Sequence, residues 1–197
     1  MILLLLTLIY ACGQATGADD LNWPKPKVEN RPGTYWWWMG SAVDKENITW
    51  NMETMCKAGM GGATIVPIYG VQGYEKNYLQ HLSPEFVEMV SYGAKEAERL
   101  GMWVDMTTGT GWPFGGPMVT DEYCDAIVDY QNGKLSQKFS GRNVKRAAPG
   151  NEGRAINPYS AKAMRYYLKH FDSPFGKDGV VMPRAMYHDS FEFKGNW

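Results

Sequence analysis

Between Gly33 and Asp189 the hydrophobic period of the chain switches repeatedly between that of a strand and that of a helix, and this alternation limits the fold more than any other feature. Thr34 to Met39 is an aromatic run suited to a strand. Asn47 to Ala58 predicts a helix with Trp50, Met52, Met55 and Cys56 available for its apolar face and Gly59 as its stop. Ala63 to Ile68 is continuous, apolar and rich in β-branched residues, the pattern of a strand buried on both faces. Ser83 and Pro84 open the next helix as N-cap and first-turn proline, Glu85 and Glu88 sit near its positive end, and Gly101 closes it after Leu100. Met102 to Thr107 predicts a third strand, Ser160 to Phe171 a third helix and Val180 to Asp189 a fourth strand.

Strands and helices alternating at this spacing call for parallel strands joined by crossover helices. No GxGxxG follows a strand and opens a helix, which argues against a dinucleotide fold. The loops after the second and third strands are long and aromatic, which suits a barrel whose site is built from loops at the strand C-termini. Asp121 to Gly153 breaks the rhythm with alternating polar and β-prone residues around Gln131-Asn132-Gly133 and Ser140-Gly141-Arg142. This predicts a β-hairpin insertion in the third βα loop.

The 197 residues carry 20 Lys plus Arg against 21 Asp plus Glu, a net charge of -1. No basic excess is available to neutralise a phosphate backbone, so nucleic acid is excluded as an expected partner. Eight Trp and twelve Tyr, several clustered in Tyr35-Trp36-Trp37-Trp38, suit either core packing or a platform for the apolar face of a sugar; composition does not separate the two. Three cysteines do not make a disulfide scaffold, and Cys56 and Cys124 are expected to be unpaired. There is no CxxC or HExxH, and His81, His170 and His188 are far apart, so no zinc or iron site is expected.

Met1 to Cys12 is apolar except for Thr7. Twelve residues make about 18 Å of helix, short of the ~30 Å hydrocarbon core of a bilayer. Residues 1–12 therefore read as a signal segment. Leu8-Ile9-Tyr10-Ala11-Cys12-Gly13 resembles a bacterial lipobox, although Tyr10 is bulky for its place and no Lys or Arg precedes the run. The expectation is an exported bacterial lipoprotein, periplasmic or anchored to the outer membrane, that meets membrane only through a lipid on Cys12; a simple cleaved signal peptide is the alternative. Residues 13–32 have linker composition, and 33–197 form the folded domain.

Hydrolysis of a glycosidic bond needs two carboxyl groups, one to protonate the leaving oxygen and one to attack or to activate water. Asp105, Asp189 and Glu192 fall at or near strand C-termini. Asp105 suits either a pocket contact or a structural bond to backbone or an arginine, and Asp189 suits orienting a sugar better than transferring a proton. His188 suits packing or a sugar hydroxyl. Glu192 is the candidate general acid, with an exposed loop glutamate as the alternative. The loop Thr107 to Pro117 combines glycines that permit close ligand approach with the ring faces of Trp112 and Phe114, and Trp112 is the candidate sugar contact.

Four segments together resemble glycoside hydrolase family 106, the α-L-rhamnosidases: Arg31 to Gly40, Ile65 to Gly70, Asp105 to Gly116, and His188-Asp-Ser-Phe-Glu192. The resemblance covers essentially everything after the linker. It implies a (β/α)8 TIM-type barrel in an exported enzyme that removes terminal α-L-rhamnose from plant polysaccharides or glycosides, inverting the anomeric centre with two glutamates and calcium. It implies Glu192 as general acid and Asp105, Trp112, His188 and Asp189 as substrate-binding residues; the calcium ligands cannot be placed on this sequence. A full barrel has eight strands and typically ~250 residues. The expectation is thus the N-terminal half of the barrel with a hairpin insertion, a truncated chain without appreciable activity alone. The rivals are a barrel glycosidase of another specificity and a non-catalytic carbohydrate-binding fragment using the Trp36–Trp38 and Trp112 rings.

Overall fold

The computed structural model describes residues 24–188 of the chain. The signal segment with Cys12, the first part of the expected linker, and Asp189 and Glu192 lie outside these residues.

A four-stranded parallel sheet forms the centre. β1 (Gly33–Met39), β2 (Gly62–Ile68), β3 (Trp103–Thr107) and a two-residue strand, here β8 (Met186–Tyr187), lie in the order β1-β2-β3-β8. Gly33 pairs with Gly62 and Gly62 with Trp103, so the first three strands start in register. Every residue of β2 is buried, as its unbroken apolar run requires.

One face of the sheet carries the helices α1 (Lys45–Lys57), α2 (Pro84–Leu100) and α3 (Ala161–Phe175). Their ends follow local chemistry. The Asp44 side chain accepts from Asn47 N at 2.8 Å, Ser83 Oγ from Phe86 N at 3.2 Å and Ser160 Oγ from Ala163 N at 3.2 Å. Gly101 closes α2 at φ 62°, a left-handed cap that suits glycine. Trp38 from β1, Ile65 from β2 and Val104 and Met106 from β3 meet Phe86, Val90, Tyr167 and Phe171 in one buried core. α3 presents a stripe at four-residue spacing, Ala163, Tyr167, Phe171 and Phe175, all buried.

Two expectations are corrected. Trp50 was expected on the apolar face of α1, but it is 64% exposed, while Ile48 and Met52 are buried and Met55 and Cys56 pack at the core margin. Ile48 and Met52 share one side of the helix at i and i+4, and Trp50 falls on the other. The fourth strand was expected from Val180, but the described ladder begins only at its end: Arg184 N donates to Val104 O at 2.7 Å and Met106 N to Ala185 O at 3.0 Å. Pro183 has no N–H to offer a ladder, and Val181 N is turned toward α2, donating to Ser91 Oγ at 2.8 Å.

The insertion between β3 and α3 contains the expected hairpin, β5 (Ala126–Gln131) with β6 (Lys134–Phe139), preceded by the short strand β4 (Gly115–Gly116), which pairs antiparallel with β7 (Arg154–Ala155). Asn132 and Gly133 turn the hairpin at φ 52° and 75°, the left-handed pair that a two-residue turn demands. A buried ion pair anchors its base: Arg142 Nε donates to Asp125 Oδ2 at 2.9 Å, and Ser140 Oγ donates to the same oxygen at 2.7 Å. Cys56 and Cys124 are both free.

Candidate functional site

The face of the sheet opposite the helices carries the second set of alternating side chains. Along β1, Trp36 and Trp38 turn to the helices, where Trp38 meets Phe86 edge-to-face at 6.1 Å between centroids. Tyr35, Trp37 and Met39 point the other way, with Trp37 47% exposed. The aromatic cluster thus serves both purposes that composition left open, because strand period assigns alternate rings to core and to surface.

These outward rings continue into a row. Tyr35 lies 5.6 Å from Trp37 and 6.0 Å from Tyr187, and Trp37 lies 6.0 Å from Trp112 with the planes inclined at 45°. The Tyr35 and Tyr187 hydroxyls are hydrogen-bonded at 3.1 Å. Val66, Thr107 and Phe114 close the floor, and the recess between them, about 10 Å³, has room for little more than one water molecule. It is a stacking platform rather than a closed pocket. A larger groove of about 270 Å³ lies elsewhere, between α2 and the segment after α3. Its Lys45 and Glu88 neutralise each other at 2.6 Å, and it holds none of the aromatic rings of the platform.

The loop bearing Trp112 is held from below. Tyr167, fully buried on α3, donates through its hydroxyl to Thr108 O at 2.7 Å and Gly115 O at 3.2 Å, which fixes both ends of the glycine-rich loop. Burial without a charged partner pushes the Tyr167 phenol well above its ordinary range, so it stays a donor. Gly111 lies against the backbone of residues 145–147, and a Cβ there would collide with the Lys145 carbonyl oxygen. Trp112 N donates to Lys145 O at 2.9 Å, and Lys145 N donates back at 2.7 Å.

Asp105 lies on the same face two residues before Thr107, with both carboxylate oxygens bound by Arg184. Of the alternatives for this residue, an arginine bond is therefore present. Each oxygen keeps a further lone pair, so contact with a sugar hydroxyl is compatible with it. The ion pair raises the Arg184 pKa, chiefly through the hydrogen bonds to Asp105. His188 is half-buried, its Nδ1 is 3.2 Å from Thr108 Oγ1, and its ring meets Phe114 edge-to-face at 4.2 Å. Trp112 and His188 thus flank Phe114 at the C-terminal end of the sheet, and Asp105 lies deeper along β3. Asp189 and Glu192 fall outside the described residues.

Tyr35, Trp37, Tyr187 and Tyr167 were not singled out as individual residues in the sequence. Period-2 alternation along β1 is the signal that picks Tyr35 and Trp37 out of the cluster. Tyr167 looks like any core residue of an amphipathic helix.

Among the described residues no group of three or more His, Cys, Asp or Glu is placed to hold a metal ion, and the carboxylate closest to the platform along β3 is engaged by Arg184. These residues do not fit a calcium site, and no chemical step is routed through one.

Comparison with known proteins gives three findings. The family described as alpha-L-rhamnosidase matches residues 24–131. A curated relative from Formosa agariphila, described as "Putative beta-glucuronidase", is 26% identical over 145 residues, which cover 73% of this chain and 12% of the relative. A solved rhamnosidase from Novosphingobium sp. PP1Y is 25% identical over 53% of this chain and 10% of that one, with a TM-score of 0.44. The chain therefore spans about a tenth of the length of either relative.

Proposed function

Because this chain belongs to glycoside hydrolase family 106, the alpha-L-rhamnosidase family, we propose that its parallel sheet is part of a (β/α)8 barrel that hydrolyses terminal α-L-rhamnosyl linkages in plant polysaccharides or glycosides. The observation that carries this reading is the row Tyr187-Tyr35-Trp37-Trp112 at the C-terminal ends of parallel strands, where barrel enzymes build their sites. Ring faces of this kind suit the apolar C–H face of a deoxy sugar. His188 and Asp189 would orient its hydroxyls.

The proposed reaction is a single displacement. Glu192 gives its proton to the glycosidic oxygen as the C–O bond breaks, while a second carboxylate, not assigned here, takes a proton from water attacking the opposite face. Inversion by this route needs the two carboxyl groups about 6.5–9.5 Å apart. The protein would be exported and held at the membrane by a lipid on Cys12, with calcium as an expectation of the family alone.

A second reading, cleavage of a different glycoside, is favoured by the relative described as a beta-glucuronidase. A panel of aryl glycosides that includes α-L-rhamnoside and β-D-glucuronide, followed by proton NMR of the first-formed anomer, separates the two. Release of β-L-rhamnose first supports the proposal. Release of the α-anomer overturns inversion, and turnover of another glycoside alone overturns the substrate.

A further inference from the structure

Arg146 stands over the outer end of the aromatic row. Its guanidinium carbon is 5.7 Å from the centroid of Trp112 and 6.0 Å from that of Tyr69, so two rings flank it. The side chain is exposed, and among the described residues no carboxylate pairs with it and no oxygen accepts from it. The arginines at the margin of the same face differ: Arg184 is spent on Asp105, and Arg142 on Asp125.

Its position is built rather than incidental. The backbone ladder between Trp112 and Lys145 and the close approach of Gly111 lock the segment carrying Arg146 against the loop carrying Trp112. Arg146 O accepts from Tyr69 N at 3.1 Å, and both residues are held in the left-handed region, at φ 62° and 42°, which side chains other than glycine seldom adopt. Two strand-end segments thus converge to place one unpaired cation beside a ring platform.

We propose that Arg146 is the receptor for a carboxylate on an acidic sugar, in a subsite next to the Trp37–Trp112 platform. An arginine stacked between rings keeps its N–H edge free, and that planar fork matches a carboxylate oxygen for oxygen. Lys145, exposed beside it, adds positive charge. A ring platform selects a sugar and the fork selects one bearing a carboxylate, which together define a uronic acid. The proposal rests on the carbohydrate-acting reading of the platform but not on which bond is cleaved.

The test uses two sugars that differ only in a carboxylate for a hydroxymethyl group, methyl glucuronoside and methyl glucoside, titrated while tryptophan fluorescence is read. The uronoside is expected to bind at least tenfold more tightly, with the preference shrinking as salt rises. Arg146→Ala should erase that preference and Arg146→Lys retain part of it, with far-UV circular dichroism reporting that each variant is folded. Equal binding of the two sugars, no binding of either, or a preference that survives in Arg146→Ala overturns the proposal. Aryl α-L-rhamnoside hydrolysis by the wild-type protein is read in parallel. Its absence sinks the rhamnosidase reading while leaving the uronoside result to stand or fall alone.

Discussion

Arg184 grips Asp105 by both carboxylate oxygens, Nε to one at 3.0 Å and Nη2 to the other at 2.7 Å, while its guanidinium carbon lies 4.1 Å from the centroid of Trp103. The pair ties the segment leading into β8 to the middle of β3. Asp105 is nearly buried, so removing Arg184 strands a carboxylate, although half of Arg184 faces solvent and screening reduces the effect. Arg184→Met and Asp105→Asn should each cost about 1–2 kcal/mol in urea unfolding. The double variant should cost no more than the worse single one, since both remove the same interaction. Additive losses would mean that the two residues act independently.

Tyr167 makes a second prediction. Its hydroxyl donates to two carbonyls of the Thr108–Gly115 loop from inside the core. Tyr167→Phe keeps the ring and removes only the donor, so stability should fall by about 1–2 kcal/mol. The stacked tryptophan of that loop should also report the change, as a shift in fluorescence that Tyr166→Phe, on the neighbouring helical position, does not produce.

How legible all this was in the sequence depended on whether a residue's environment is set locally. The unbroken run Ala63–Ile68, the caps Ser83 and Gly101 and the Asn132-Gly133 turn each encode their own geometry, and the structure places them as expected. Trp50 misled because a large apolar side chain outweighed the i, i+4 stripe of Ile48 and Met52. The expected fourth strand was too long because a single proline, Pro183, withdraws one ladder donor from an otherwise apolar run. The position of Arg146 over Trp112 was not readable, because it depends on a ladder between two loops distant in sequence, and loop-to-loop pairing has no period.

His81 predicts an acid-sensitive fold. The ring is packed between Phe86 at 4.9 Å and Phe171 at 6.0 Å, and burial pushes the imidazole down to about 3 from an ordinary 6.5. Above pH 6.5 the ring is neutral folded and unfolded, and it contributes no pH dependence. Below it the unfolded chain takes a proton that the folded chain refuses, so stability is lost as pH falls from 6.5 toward 3. The folding constant should drop by up to about tenfold per pH unit from this group. Urea midpoints measured from pH 7 to pH 4 should show a shallower fall in His81→Leu than in the wild type; identical slopes would mean that other groups carry the effect.

The proposed anchor is tested by cell fractionation of a bacterial host. Wild-type protein should sediment with membranes, and Cys12→Ala should not. Equal partitioning of both would refute lipidation at Cys12.

The most direct test of the central claim, that the Trp37–Trp112 platform is the sugar site of an α-L-rhamnosidase, is the steady-state hydrolysis of an aryl α-L-rhamnoside by wild type, Trp37→Ala, Trp112→Ala and Glu192→Gln. Base or sugar stacking on an aromatic ring is worth roughly 1–3 kcal/mol, so each tryptophan variant should lose about tenfold or more in kcat/KM with its fold intact, and Glu192→Gln should lose turnover almost completely. Wild-type activity that survives both tryptophan substitutions unchanged would contradict the account.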